Sequence, residues 1–149
     1  MRLFLVRHAI AEHRDGERWP DDRGRPLTPD GEQRFRKAAR GLGKVTRPVD
    51  RVLASGLERA WRTAVVLEEE IGWPEPASSE QLEPGGSPQE VVPTLVSEGA
   101  DASLALVGHE PGLSDLASFL LVGSGRGADV QMKKGGRWNV RSMWHLFET

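Results

Sequence analysis

Cysteine is absent from the 149 residues, which excludes disulfides, thiolate metal sites and cysteine nucleophiles. No apolar run approaches the roughly 18 residues that a membrane span requires. Met1 to His8 is too short, and too soon interrupted by charge, to read as a secretory signal. There is no dense basic block either: 20 Lys and Arg stand against 22 Asp and Glu, for a formal net charge of −2. That balance argues against nucleic acid as the main partner. With no repeats and no low-complexity linker, the length predicts a single domain over residues 1–149. Hydrophobic residues at 38% and charged residues at 28% are those of a globular chain large enough for a core. The expectation is a cytoplasmic protein that meets neither membrane nor nucleic acid.

What is present is an alternation of strand and helix signals. Leu3-Phe4-Leu5-Val6 reads as a short strand buried on both faces, ending abruptly at Arg7-His8. A long charged stretch, Ala11 to Arg25, has no apolar periodicity, and structureless loops of that length inside a small domain are often functional. It carries Arg14, Arg18, Arg23 and Arg25, and of these only Arg25 is singled out for a role. Thr28-Pro29 then suits the start of a helix whose Phe35, Ala38, Ala39 and Leu42 form one apolar stripe. Asp50 to Ser55 reads as a second strand, followed by a helix with Ala60, Ala64, Leu67 and Ile71 on one face. Ser79 to Leu82 suggests a short third strand. Ser87-Pro88-Gln89-Glu90 resembles a capping box before a helix that contains Pro93, expected to kink or shorten it. Leu104-Ala105-Leu106-Val107 is another apolar strand, ending at Gly108-His109, and a helix follows with Leu113, Leu116, Ala117 and Leu120 inside. The segments 130–132 and 138–147 could be two edge strands. Strands alternating with helices over short connections predict an α/β fold with a mostly parallel sheet covered on both faces.

In a parallel sheet the strand ends share one edge, which is where open α/β sheets bind ligands. Arg7, His8, Arg59 and His109 should therefore converge, with no carboxylate implied among them. A phosphoryl group suits that set. Planar guanidiniums satisfy its charged oxygens in pairs. A neutral imidazole can attack phosphorus while its other nitrogen is held as a donor, and a second, protonated imidazole can stabilise the oxygens during transfer. Metal binding is the rival use of histidine. His8 and His13 fit no common ligand spacing and no paired carboxylates accompany them, so neither metal nor cofactor is expected. His13 and His145 read as structural or surface residues.

Four motifs carry a resemblance. Arg7-His8-Ala9 is similar to the Arg-His-Gly signature of the histidine phosphatase superfamily, the phosphoglycerate mutase-like fold. Ser55, Arg59-Ala60 and Thr63-Ala64 match that superfamily's Ser-x-x-x-Arg-Ala-x-x-Thr-Ala element, and Gly108-His109 matches its second catalytic histidine. Arg25-Pro26-Leu27-Thr28 with Gly31 is similar to an Arg-x-Leu-Thr-x-x-Gly element. The small size and Leu82-x-Pro84-x-Gly86 resemble the SixA-type phosphohistidine phosphatases. The resemblance spans about residues 2 to 136 and implies a three-layer α/β/α sandwich. It makes His8 the transiently phosphorylated nucleophile, Arg7, Arg59 and His109 the rest of the phosphate pocket, and Arg25 an extra phosphate or substrate contact. Ala9 departs from the motif's glycine, though alanine is small enough for activity to survive. Residues 137–149 replace the two further strands that the family usually adds, which leaves the sheet's edge and the oligomeric behaviour open. Many superfamily members place a glutamate two residues after a leucine as the proton donor. Here that position is Pro84, and Glu83 is displaced by one residue.

The expected function is a metal-independent phosphatase acting on a phosphorylated protein of the histidine phosphotransfer type or on a small phosphorylated substrate. The alternatives are a broad small-molecule phosphomonoesterase and a non-catalytic phosphoprotein-binding module. A mutase is disfavoured, because this chain has no room for the large insertions that close over mutase substrates.

Overall fold

The computed structural model describes residues 1–123. In chain order they form β1 (Arg2–Arg7), α1 (Pro29–Gly43), β2 (Arg51–Ala54), α2 (Glu58–Ile71), β3 (Ala77–Ser78), a 3₁₀ turn (Glu80–Leu82), α3 (Pro88–Glu98), β4 (Ser103–Gly108) and α4 (Gly112–Val122). The four strands pair in parallel in the order β1-β4-β2-β3. Alternate residues of each strand feed opposite faces. Val6, Val52, Ala54, Ala105 and Val107 meet Phe35, Ala39, Ala60, Ala64 and Leu67 of α1 and α2. Leu3, Leu5, Leu53, Leu104 and Leu106 meet Val91, Leu95, Leu113 and Leu116 of α3 and α4. The result is the three-layer α/β/α arrangement with a parallel sheet that the apolar runs implied.

Local signals set the element ends. Thr28 accepts the Gly31 N–H at 2.9 Å and caps α1, with Pro29 in the first turn. Gly31 is obligatory in that cap: a Cβ there would lie 2.3 Å from the Ile10 carbonyl oxygen. The Ser87–Glu90 capping box forms, and α3 runs on through Pro93 to Glu98. The carbonyl that loses its donor to Pro93 belongs to Gln89, an exposed residue in the first turn of the helix. The third strand is earlier and shorter than its sequence suggests. Only Ala77 and Ser78 pair with β2, and residues 80–82 coil into a 3₁₀ turn that drops Leu82 into the α3–α4 core. A single apolar residue before Pro84-Gly85-Gly86 can reach that core by turning but not by extending the ladder. The anticipated strands at 130–132 and 138–147, and the atypical stretch 137–149, lie outside the described residues.

Candidate active site

The sheet's register brings the two histidines together. Arg7 is opposite Gly108 across the β1–β4 pair, so His8 and His109 leave adjacent strands at the same level. Their rings lie 5.1 Å apart, tilted by 54°, and both are 6% exposed. His8 Nδ1 is 2.7 Å from the Ala9 carbonyl oxygen. A carbonyl can only accept, so Nδ1 carries a proton, and in the neutral ring the lone pair resides on Nε2. Ala9 itself is fully buried in the α1–α2 core. Its N–H donates to Thr63 Oγ1 at 3.0 Å, and the Thr63 hydroxyl in turn donates to the Arg59 carbonyl at 2.7 Å. The motif's threonine thus ties the backbone after His8 to the helix that carries Arg59, and the alanine methyl is absorbed without displacing it.

β2 contributes from the other side of β4. Ser55 is fully buried, and its Oγ lies 2.8 Å from His109 Nε2. Oγ also accepts the Leu57 N–H at 3.3 Å. A hydroxyl that donates to Nε2 places the ring's own proton on Nδ1, a buried atom with no hydrogen-bond partner. Burial, then the neighbouring His8 and Arg59 charges, holds the His109 pKa down to about 3. His109 is therefore neutral before an anion arrives, in contrast to the protonated imidazole anticipated above. A consequence can be measured. The unfolded imidazole titrates near 6.5, so its contribution is fully present above that pH and is lost as pH falls toward 3, by up to about 1.4 kcal/mol per pH unit. Denaturant unfolding of His109→Gln should lose less stability than the parent between pH 6 and pH 4. Parallel curves would contradict the neutral assignment.

Arg59, in the first turn of α2, is 2% exposed. Two of its nitrogens meet Asp22: Nη1 donates to the backbone oxygen and Nη2 pairs with the carboxylate, each at 2.9 Å. Burial and the Arg25 charge make the Arg59 proton easier to lose, with Asp22 opposing. Arg25, 8% exposed, donates to Asp22 Oδ1 at 2.6 Å and to the Glu12 carbonyl at 2.7 Å. A carboxylate thus sits among the cations, where the sequence implied none. Asp22 holds a left-handed backbone (φ 59°), which aspartate tolerates better than most residues. The Arg25 hydrogen bond, followed by the Arg59 and Arg25 charges, keeps its pKa below the usual carboxylate range. Arg14 is exposed, and its charge adds only a minor contribution at Asp22 and Arg59. His13 is exposed. Among the described residues no cluster of three or more His, Asp or Glu is arranged to hold a metal ion.

Glu83 lies at the rim. Both its oxygens take Arg23 in a fork, at 2.7 and 2.8 Å, and the Gly56 N–H also favours its ionised form, so its pKa is lowered. Glu110, directly after His109, is the opposite case. Burial pushes its pKa up, against the pull of Ser114 and Arg7. The Ser114 hydroxyl donates to Oε2, while Oε1 is buried with no hydrogen-bond partner. Next to His109 a cavity of about 210 Å³ opens between residues 81–88 and the start of α4.

Residues 3–83 match the model of the histidine phosphatase superfamily (branch 1). The chain belongs to that superfamily. An uncharacterized protein of Picosynechococcus is 35% identical over 144 residues, covering 95% of this chain and 86% of the relative. The protein histidine phosphatase SixA, solved with tungstate, superposes with a TM-score of 0.77 at 26% identity, covering 90% of this chain and 83% of that one. A mycobacterial glucosyl-3-phosphoglycerate phosphatase solved with VO3 shares the fold, with a TM-score of 0.63 at 22% identity over 89% of this chain and 87% of that one. This histidine phosphatase is of the SixA type, and the structure brings its Arg7, His8, Arg59 and His109 to one sheet edge, with Arg25 behind Asp22. Ser55 is a motif position to which the sequence assigned no task, and Asp22 and Glu110 were not singled out at all. Asp22 was concealed in a charged loop, while Glu110 adjoins the motif's His109 and could have been found from that adjacency.

Proposed function

We propose that this phosphatase hydrolyses phosphohistidine through a phosphorylated His8, as one cytoplasmic catalytic domain that needs no metal. The observation that carries the reading is the His8 Nδ1 contact with the Ala9 carbonyl. It fixes the tautomer in which Nε2 can attack phosphorus, and it stabilises the cationic ring that the attack creates. Arg7 and Arg59 bind the non-bridging oxygens, assisted by Arg25, and His109 Nδ1–H supplies one more donor. The P–N bond of the substrate breaks, water then attacks phosphorus on His8, and phosphate leaves. Exhaustive chelation should leave turnover intact, because guanidiniums supply the charge. Loss in chelator with recovery on adding one divalent ion would contradict this.

The leaving group is the main test. Glu83 is held ionised by Arg23 and the Gly56 N–H, so it has no proton to give a departing alkoxide. An imidazole needs none at the scissile nitrogen, because protonation of its far nitrogen lets it depart neutral. Phosphohistidine should therefore be preferred over unactivated alkyl phosphates by roughly 10²-fold or more, the lower bound of general-acid help. Glu83→Gln should change that preference little. Efficient alkyl phosphate hydrolysis that disappears in Glu83→Gln would favour the broad phosphomonoesterase, and absence of any turnover would favour a binding module.

A further inference from the structure

We propose that the cavity beside His109 is the seat of the departing imidazole ring, and that Glu110 accepts a hydrogen bond from that ring's far N–H. The inference rests on the phosphohistidine reading and adds where the leaving group lies and what holds it.

The cavity borders the candidate phosphate site at His109, which lines the cavity and lies against the His8 ring. Leu82, Pro84, Val91 and Leu113 give it apolar walls. An apolar cavity of about 150 Å³ is enough for a benzene ring. One of about 210 Å³ therefore accommodates a five-membered ring with its methylene link. The polar group that fits such a ring is already in the wall. Glu110 is held at Oε2 by Ser114, and its buried Oε1 has no hydrogen-bond partner. Buried acceptors without partners are uncommon and require an explanation.

The chemistry of transfer between two imidazoles supplies one. On the attacking side, the proton of the far nitrogen of His8 is held by the Ala9 carbonyl. As Nε2 bonds to phosphorus, positive charge develops on that ring. On the leaving side the substrate ring starts cationic, protonated at its far nitrogen and bonded to phosphorus through the other. When the P–N bond breaks, the electron pair returns to that nitrogen and the ring departs neutral, keeping its far proton. No external acid is consumed, and the positive charge moves from one ring to the other. Such a reaction requires an oxygen acceptor for the far N–H on each side. Glu110 is the leaving-side counterpart of the Ala9 carbonyl. It favours the protonated substrate, the only form whose ring departs neutral.

The test compares N-phosphoimidazole with phosphoramidate, which has a P–N bond but no ring, in the parent, Glu110→Gln and Val91→Phe proteins. The parent should favour the ring substrate, and imidazole should inhibit phosphoramidate hydrolysis competitively. Glu110→Gln should lower the ratio of the two kcat/KM values about 10-fold, the loss expected for one charge-assisted hydrogen bond, and weaken imidazole inhibition alongside. Val91→Phe, which fills the cavity, should act on the ratio mainly through KM. If it fails to fold, Glu110→Gln decides alone, with its thermal midpoint as the control. A parent that favours the ring while Glu110→Gln leaves both ratio and inhibition unaltered would overturn the seat and leave the phosphohistidine reading standing. A parent indifferent to the ring would overturn both.

Discussion

Replacing His8 with alanine is expected to lower turnover by at least ~10³-fold, the scale on which enzymes lose rate when a nucleophile is deleted. The expectation follows from geometry more than from residue type. His8 and His109 are equally buried and only 5.1 Å apart, yet they are held differently. One has its far nitrogen on a carbonyl, which can only accept. The other faces a hydroxyl and is kept neutral by burial. Only the first arrangement stabilises a ring that becomes cationic on phosphorylation. Acid-labile, base-stable phosphate should accumulate on His8 in enzyme quenched during turnover and be missing from His8→Ala. Label on His109, or a variant that keeps most of its activity, would overturn the assignment.

Arg59→Lys should be nearly as damaging, with kcat/KM down by about 10²–10³-fold, the range for loss of one preorganised donor to a developing oxyanion. Lysine keeps the charge but not the planar fork. In the protein as it stands, that fork spans Asp22 through Nη1 and Nη2 while Nε is buried with no hydrogen-bond partner. A point charge on a flexible stem cannot hold Asp22 and present a second donor together. Inhibition by phosphate-like oxyanions should weaken in step with kcat/KM. A folded variant with near-parental oxyanion affinity would mean that Arg59 serves mainly to clamp Asp22.

The layers and the alternation of strands and helices were legible because apolar runs in doubly covered strands are hard to mistake. Leu3–Val6 and Leu104–Val107 alternate between two cores, and the polar residues that end them mark the sheet edge. The convergence of Arg7, His8, Arg59 and His109 was legible for the same reason: their positions follow from strand ends and a helix start. Asp22 was not, because its placement depends on a 15-residue loop path and a left-handed backbone rather than on any periodicity. The neutrality of His109 was hidden as well, since it arises from desolvation by neighbours distant in sequence. β3 was misplaced because two paired residues leave too short a pattern to locate.

The order β1-β4-β2-β3 has a consequence for a chain emerging from the ribosome. The strand that joins β1 to β2 is the last of the four to be synthesised. Until residues 103–108 arrive, His8 and Arg59 belong to segments with no shared edge, and loop closure over about a hundred residues must precede any pairing of the two histidines. An N-terminal fragment ending before β4 carries His8 without the strand that sets His109 beside it, so a half-made chain is expected to show no turnover.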